Sequence, residues 1–271
     1  MLPYRLLALD LDGTIVDGSL QISARVRRAL RAAMDRGVHV TLASGRPFRG
    51  TRPFADDLGI REPLICHQGA IVRDPRSGEV YLRRSLPRHL AHEFVDIARE
   101  HSWDLCVSMD DEMYVERLTP ALRVLLDLSP TPVEARVVAD LKALPEEPLR
   151  LLVVVEAAQA ALVDDLLRER FAGRLLIVRS FARFVEATDL AASKGQALAF
   201  LAQKLGVSQA ETMAMGDQDN DADMVAWAGL GVAMGNASAS VKAAANHITA
   251  TIAEDGAALA IERNILGQKD G

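Results

Sequence analysis

Short apolar runs alternate with amphipathic stretches at the start of this chain. Leu6-Leu7-Ala8-Leu9 is continuously apolar and closes on Asp10-Leu11-Asp12-Gly13-Thr14. A run of that length bounded by a glycine predicts a fully buried parallel strand. Ala24 to Arg36 then has helical spacing, with Ser23 as its cap and Gly37 as its stop. Val38 to Ala43 predicts the next strand, Phe48 to Leu58 a helix, and Leu64 to Cys66 a third strand. Parallel strands joined by helical crossovers imply a doubly wound sheet in an α/β fold.

The beat then changes. Arg73 to Arg84 predicts a hairpin turning at Asp74-Pro75-Arg76-Ser77-Gly78. Helices near Pro87 to His101 and Ala158 to Phe171 flank strand-like runs at Leu151 to Val155 and Leu175 to Val178. Proline-containing stretches at Ser129 to Pro132 and Pro145 to Pro148 predict loops. This middle piece reads as a separate α+β domain inserted into the first. The original beat returns after about Glu186. Lys194 to Leu205 predicts a helix, Thr212 to Met215 and Leu230 to Ala233 strands, Ser238 to Ala245 a helix, and Ile248 to Thr251 an edge strand before a C-terminal helix.

Polar residues gather at the predicted strand ends. Asp10 and Asp12 start on one face of their strand, because side chains alternate. Ser44-Gly45-Arg46 follows the second strand, Lys194 starts a helix, and Gly216-Asp217-Gln218-Asp219-Asn220-Asp221 follows a late strand. Open α/β sheets bind ligands at that carboxyl edge. Each feature alone has a bland reading: an Asp-Gly turn, a surface lysine, acids at a helix N-terminus, which suffices for Asp219 and Asp223. Their shared position favours chemistry. Close carboxylates repel unless a cation or proton lies between them. Magnesium takes hard oxygen ligands and keeps room for a phosphate, so Asp10, Asp217 and a backbone carbonyl near Asp12 suit it. A carboxylate can attack phosphorus, while a lysine and small donors at Ser44 and Gly45 hold the transferred oxygens.

Composition narrows the classes. The chain has 271 residues, is 49% hydrophobic and 25% charged, and carries a net charge of −6. That suits a soluble globular protein and disfavours general nucleic-acid binding. Cys66 and Cys106 are the only cysteines and read as buried small hydrophobes. No apolar run approaches the ~20 residues that cross a bilayer, and Asp10 and Asp12 break any secretory pattern, so a cytoplasmic location is expected.

These motifs resemble those of the haloacid dehalogenase superfamily, in its Cof-type (subclass IIB) hydrolases. Asp10-Leu11-Asp12-Gly13-Thr14 is similar to the first motif and Ser44-Gly45-Arg46-Pro47 to the second. Lys194-Gly195 is similar to the third and Gly216-Asp217-Gln218-Asp219-Asn220-Asp221 to the fourth. Val232-Ala233-Met234-Gly235-Asn236-Ala237 and Asp255-Gly256 extend the match. The resemblance implies a Rossmann-like core, residues 1–83 and 188–271, with an inserted α+β cap, residues 84–187. It implies a Mg²⁺-dependent phosphatase that hydrolyses a small phosphorylated metabolite, a sugar phosphate or phosphorylated cofactor, through an aspartyl phosphate. Asp10 would be the nucleophile and Asp12 the general acid, then base. Ser44, Gly45 and Lys194 would hold the phosphate, with Asn220 orienting Lys194 or the phosphate and Arg46 facing substrate. Asp10, Asp12 through its carbonyl, Asp217 and Asp221 would form the metal shell. Gln68 stands where the family usually has Asn before Gly-Ala. A phosphomutase, or a non-catalytic phospho-ligand sensor, would share these motifs. Asp104, Asp110, Arg183 and Glu186 are polar cap candidates, Trp103 is expected in the core, and the hinges are expected near Arg84 and Glu186. A monomer or homodimer is expected, with a small phosphorylated metabolite and neither nucleic acid nor membrane as partner.

Overall fold

The computed structural model describes residues 3–127 and 134–268. A five-stranded parallel sheet forms the core, in the order β14 (His247–Ile248), β13 (Leu230–Ala233), β12 (Thr212–Gly216), β1 (Leu6–Leu9), β2 (His39–Leu42). All four residues of β1 are fully buried, because both of its faces are covered. Leu7, Leu9, Val40 and Leu42 pack with α1 (Ala24–Asp35), α2 (Phe48–Leu58) and α9 (Gly256–Asn264) on one side. Leu6, Ala8 and Ala214 pack with α6 (Lys194–Leu205) and α7 (Ala222–Trp227) on the other. Ser23 caps α1 by accepting the Val26 N–H, as its position predicts.

Beside β2 lies a small antiparallel sheet of β3 (Leu64–Cys66), β4 (Ile71–Arg73) and β5 (Val80–Arg83), linked through a parallel bridge between Ala43 and Ile65. The β4–β5 hairpin turns where the sequence predicts. Asp74 Oδ1 accepts the N–H groups of Arg76 and Ser77, and Gly78 takes the left-handed backbone (φ 75°) that closes the turn.

The inserted segment forms a six-stranded sheet in the order β10 (Leu175–Phe181), β11 (Phe184–Asp189), β9 (Arg150–Val154), β6 (Asp104–Met109), β7 (Glu112–Val115), β8 (Ala135–Val137). Its pairings are antiparallel except β7 with β8. Helices α3 (Arg88–Glu100) and α5 (Ala157–Arg170) cover one face through Phe94, Phe171, Val153 and Val185. On the opposite face α4 (Pro120–Asp127) shields a second cluster that holds Cys106, Leu152 and Phe184. The chain is thus α/β, with a Rossmann-like parallel core and an inserted α+β cap.

Several expectations need correction. The strand β11 runs to Asp189, so the expected return to the core at residue 188 falls inside a cap strand. Glu186 is buried mid-strand and cannot act as a hinge; its charge hides the apolar alternation of Val185 and Ala187. The strand expected over Ile248 to Thr251 is His247–Ile248, because Thr251 caps the following turn in a capping box with Glu254. Trp103 is half-buried at the edge of the cap core, stacked on His101, rather than inside it. The loop expected at Ser129 to Pro132 lies outside the described residues. Helix α8 (Ala239–Ala244) lies within its expected span.

Candidate active site

The site lies at the carboxyl edge of the parallel sheet. The strand β1 ends at Leu9, and the Asp10 N–H still donates to the Met215 carbonyl of β12. That contact fixes Asp10 in the sheet edge with 5% exposure. Lys194, at the first turn of α6, is buried and reaches across to it. Its Nζ lies 2.7 Å from Asp10 Oδ1 and 2.6 Å from Asp221 Oδ1. Ser193 caps α6 and so fixes where Lys194 begins.

The loop after β12 is folded around Asp221. Asp221 Oδ2 accepts the N–H groups of Asp217 and Gln218, each at 3.0 Å. Gly216 permits this closeness, since a Cβ there would lie 2.3 Å from Asp221 Cβ. Asp217 accepts from Thr14 Oγ1 at 3.0 Å and from Gln218 Nε2 at 2.8 Å. Gly13 has a left-handed backbone (φ 89°), and a Cβ would meet Asp217 Oδ2 at 2.3 Å. Both features demand glycine. Asn236 braces the same turn by donating to the Gly13 carbonyl at 2.9 Å.

Electrostatics follow from this crowding. Burial, then the Asp221 charge, pushes the Asp10 carboxyl well above the usual carboxylate range, against the pull of Lys194. Burial and Asp221 push Asp217 up to about 6, opposed by its hydrogen bonds from Gln218 and Thr14. Burial alone would discharge Lys194, but Asp10 and Asp221 outweigh it and hold the ammonium charged.

The ligand-forming oxygens of Asp10, Asp217 and Asp221 lie within 4.8 Å of one another, all on buried residues. The donors are hard oxygens. Counting Asp12, four carboxylates face the two cations Lys194 and Arg46, an excess of two negative charges. That set fits a divalent hard cation. Asp221 fits least, since both of its oxygens already accept hydrogen bonds.

A family model of haloacid dehalogenase-like hydrolases matches residues 7–261. The chain belongs to the haloacid dehalogenase-like hydrolases. It is 30% identical to a Bacillus subtilis 5-amino-6-(5-phospho-D-ribitylamino)uracil phosphatase, over 97% of this chain and 96% of that protein. It is 30% identical to the HMP-PP phosphatase of Serratia proteamaculans, over 86% and 85%. A haloacid dehalogenase-like hydrolase structure from Bacteroides thetaiotaomicron superposes with a TM-score of 0.84 at 32% identity, covering 96% and 99% of the two chains. The chain is a phosphatase of this family.

Within this haloacid dehalogenase-like site, the structure brings together Asp10, Asp217, Asp221 and Lys194 as the motif spacing predicts. Asp12 sits in the turn beyond β1, and its carboxylate is gripped by Arg46 through two bonds of 2.6 and 2.7 Å. Arg46 is therefore committed to Asp12, where a substrate-facing role was expected. Ser44 is buried after β2, its Oγ accepting the Arg46 N–H at 3.1 Å. The Gly45 carbonyl accepts from Arg150 of the cap at 2.9 Å. Asn220 does not touch Lys194 by any hydrogen bond in its ion-pair set; its Nδ2 donates to Gln68 Oε1 at 2.7 Å. Asp219 accepts from Ser238 and Ser240, and Asp223 accepts the Gly195 N–H, so both are local anchors.

Sequence reading missed Thr14, Gln218 and Arg150. Thr14 and Gln218 lie inside the motifs but their hydrogen bonds need the folded turn. Arg150 opens a cap strand and carries no motif. Of the polar cap candidates, only Glu186 and Asp110 meet core residues among these contacts, Glu186 through Gln68 and Asp110 through His67 and Arg73. Asp104 pairs with Thr119 and Arg117, and Arg183 with Glu156.

Proposed function

We propose that this phosphatase is magnesium-dependent and hydrolyses a small phosphorylated metabolite through a phosphorylated Asp10. The observation that carries this is the Asp10 carboxylate at the end of β1, bonded to Lys194 and clustered with Asp217. Asp10, Asp217 and the Asp12 carbonyl would hold the magnesium, with Asp221 beside it. When bound, the cation neutralises the excess charge of the cluster and draws electron density from the phosphate.

Asp10 attacks phosphorus as its ester bond to the leaving oxygen breaks, so the phosphoryl group passes to the carboxylate. Lys194 and the donors at Ser44 and Gly45 hold its oxygens. Asp12 gives the leaving oxygen a proton, then takes one from the water that hydrolyses the acyl phosphate. In the geometry described, Arg46 holds Asp12, so this clamp must loosen before the proton moves. The cap, residues 84–187 extended to the end of β11, closes the site and excludes water.

The substrate class rests on the relatives, one named for a phosphoribitylaminouracil and another for HMP-PP. The test is a hydrolysis screen across sugar phosphates and phosphorylated cofactors, with magnesium saturating and released phosphate measured. Turnover should stop in excess chelator and return with magnesium. Asp217→Ala should raise the magnesium concentration needed. Undiminished turnover in chelator would overturn the metal assignment.

A further inference from the structure

A buried chain of polar groups runs from the cap sheet into two loops of the site. Arg150 on β9 and Glu186 on β11 form an ion pair of 3.1 Å, with side chains 5% and 3% exposed. The same Arg150 nitrogen donates to the Gly45 carbonyl in the loop after β2. The same Glu186 oxygen accepts from Gln68 Nε2 at 3.2 Å. Gln68 Oε1 in turn accepts from Asn220 in the loop after β12.

The order of donors along this chain is forced. A carboxylate paired with a guanidinium only accepts, so Gln68 must turn its NH₂ toward Glu186. Gln68 then shows its oxygen to Asn220, which must answer with its own NH₂. Asn220 Oδ1 is left as a buried acceptor without a protein partner among the described residues. Turning Gln68 over would set its NH₂ against the Asn220 NH₂ and its oxygen against the Glu186 carboxylate, and turning Asn220 over would set oxygen against oxygen.

Gln68 is locked in place for this task. It is 2% exposed, its backbone is left-handed (φ 58°), and its N–H donates to the Ser44 carbonyl. Its amide lies over Gly45, where a Cβ would meet Nε2 at 2.4 Å. A left-handed backbone at a residue other than glycine or asparagine is held by its surroundings.

We propose that Gln68 is a positioning residue through which Glu186 of the cap sets the Asn220 amide, so that seating the cap aligns both loops of the site. This inference rests on the phosphatase reading only for its activity readout. The seated cap then supplies two braces, Arg150 to the Gly45 loop and Gln68 to the Asn220 loop. An unseated cap withdraws Arg150 and Glu186 together and leaves the Gln68 and Asn220 amides free to turn.

Exchanging the two groups tests this. Gln68→Glu sets two carboxylates face to face, and Glu186→Gln removes the obligate acceptor. The double variant restores an amide facing a carboxylate, and its new carboxylate still accepts from Asn220. With p-nitrophenyl phosphate and saturating magnesium, each single variant should lower kcat about tenfold, with KM little changed. The double variant should recover to within about threefold of wild type. Melting temperature, measured without substrate, should fall in each single variant and fall in the double by less than the sum of the two, since the Gln68 clash is relieved while Arg150 stays without its carboxylate. Gln68→Met, which keeps the volume but accepts nothing from Asn220, should also lower kcat and serves if Gln68→Glu does not fold. Wild-type kcat in the folded single variants, or additive losses in the double, would overturn the proposal. If wild type hydrolyses no phosphate ester, the phosphatase reading fails while the melting cycle still decides the coupling.

Discussion

Two polar clusters, one on the core edge and one on the cap face, are built on different charge plans. On the core edge, Asp10, Asp12, Asp217 and Asp221 outnumber Lys194 and Arg46. On the cap face, Arg150 and Glu186 match one to one. The Arg150–Glu186 pair and, on the core edge, Asp10, Asp217, Asp221 and Lys194 lie out of water, where charge is costly. The matched pair meets that cost within the protein and needs nothing more. The mismatched cluster leaves Asp10 and Asp217 with carboxyls pushed up by burial and by Asp221. Such a mismatch is stable only with a cation or proton added, and marks where ligand chemistry is done. The core edge thus carries an excess of negative charge that the cap face lacks.

The sharpest way to break the comparison is to neutralise one member of each cluster without changing its shape. Asp10→Asn removes the attacking oxygen, so turnover should fall by roughly 10³-fold or more. Its metal-free melting temperature should hold or rise, because the charge removed is one that burial and Asp221 disfavour. Glu186→Gln should do the opposite to stability. It strands the buried Arg150 guanidinium and should cost roughly 3 kcal/mol. Calorimetry of both variants checks the contrast. Equal destabilisation would mean that the core edge is as well matched as the cap.

A smaller effect concerns Asp12, which forms a matched pair inside the mismatched cluster. Its grip on Arg46 suits an architectural anchor, and a proton donor only once that grip loosens. The two roles separate by leaving group. An alkoxide needs a proton as it departs, and a nitrophenolate needs little help. If Asp12 is the general acid, Asp12→Asn should slow hydrolysis of a sugar phosphate by ~10²–10⁴-fold and of p-nitrophenyl phosphate far less. Rapid-quench kinetics of phosphoenzyme formation with both esters measures this. Equal slowing would make Asp12 the anchor of Arg46 and nothing more.

The core was legible in the sequence because its signals are local. The apolar run before Asp10, the Ser23 cap and the Asp74 turn each specify their element with neighbours in the chain. The charged motif residues were legible because they fall at strand ends. The cap was harder to read, for Ser108, Arg150 and Glu186 set buried polar groups into β6, β9 and β11. Those groups are satisfied only by residues far away in sequence, such as Gln68 and Gly45. No periodicity announces such a partner. For the same reason Arg46 reads as a free arginine until the fold places Asp12 against it.

The smallest predicted effect tests the seam between the two regions, where an imidazole meets the cap beside the Arg73–Asp110 ion pair. His67 is fully buried, and its Nε2 meets the Asp110 carbonyl of the β6–β7 turn at 2.7 Å. A carbonyl only accepts, so Nε2 is the donor, and Nδ1 has no partner among the described residues. Burial, then the Arg150 charge, lowers the imidazole from its ordinary 6.5 to about 3. Below pH 6.5 the unfolded chain therefore binds a proton that the folded protein refuses. Stability from this group is full above pH 6.5 and is lost as pH falls toward 3, by about 1.4 kcal/mol per unit. Asp217, raised to about 6, acts in the opposite sense, since the folded protein takes its proton first. The difference between wild type and His67→Gln removes that background. Urea unfolding at pH 7 and pH 5 should show wild type losing about 2 kcal/mol more than the variant over that interval. Parallel losses in the two proteins would mean that His67 accepts a proton in the folded state, and the seam would then be a charged contact like the Arg150–Glu186 pair.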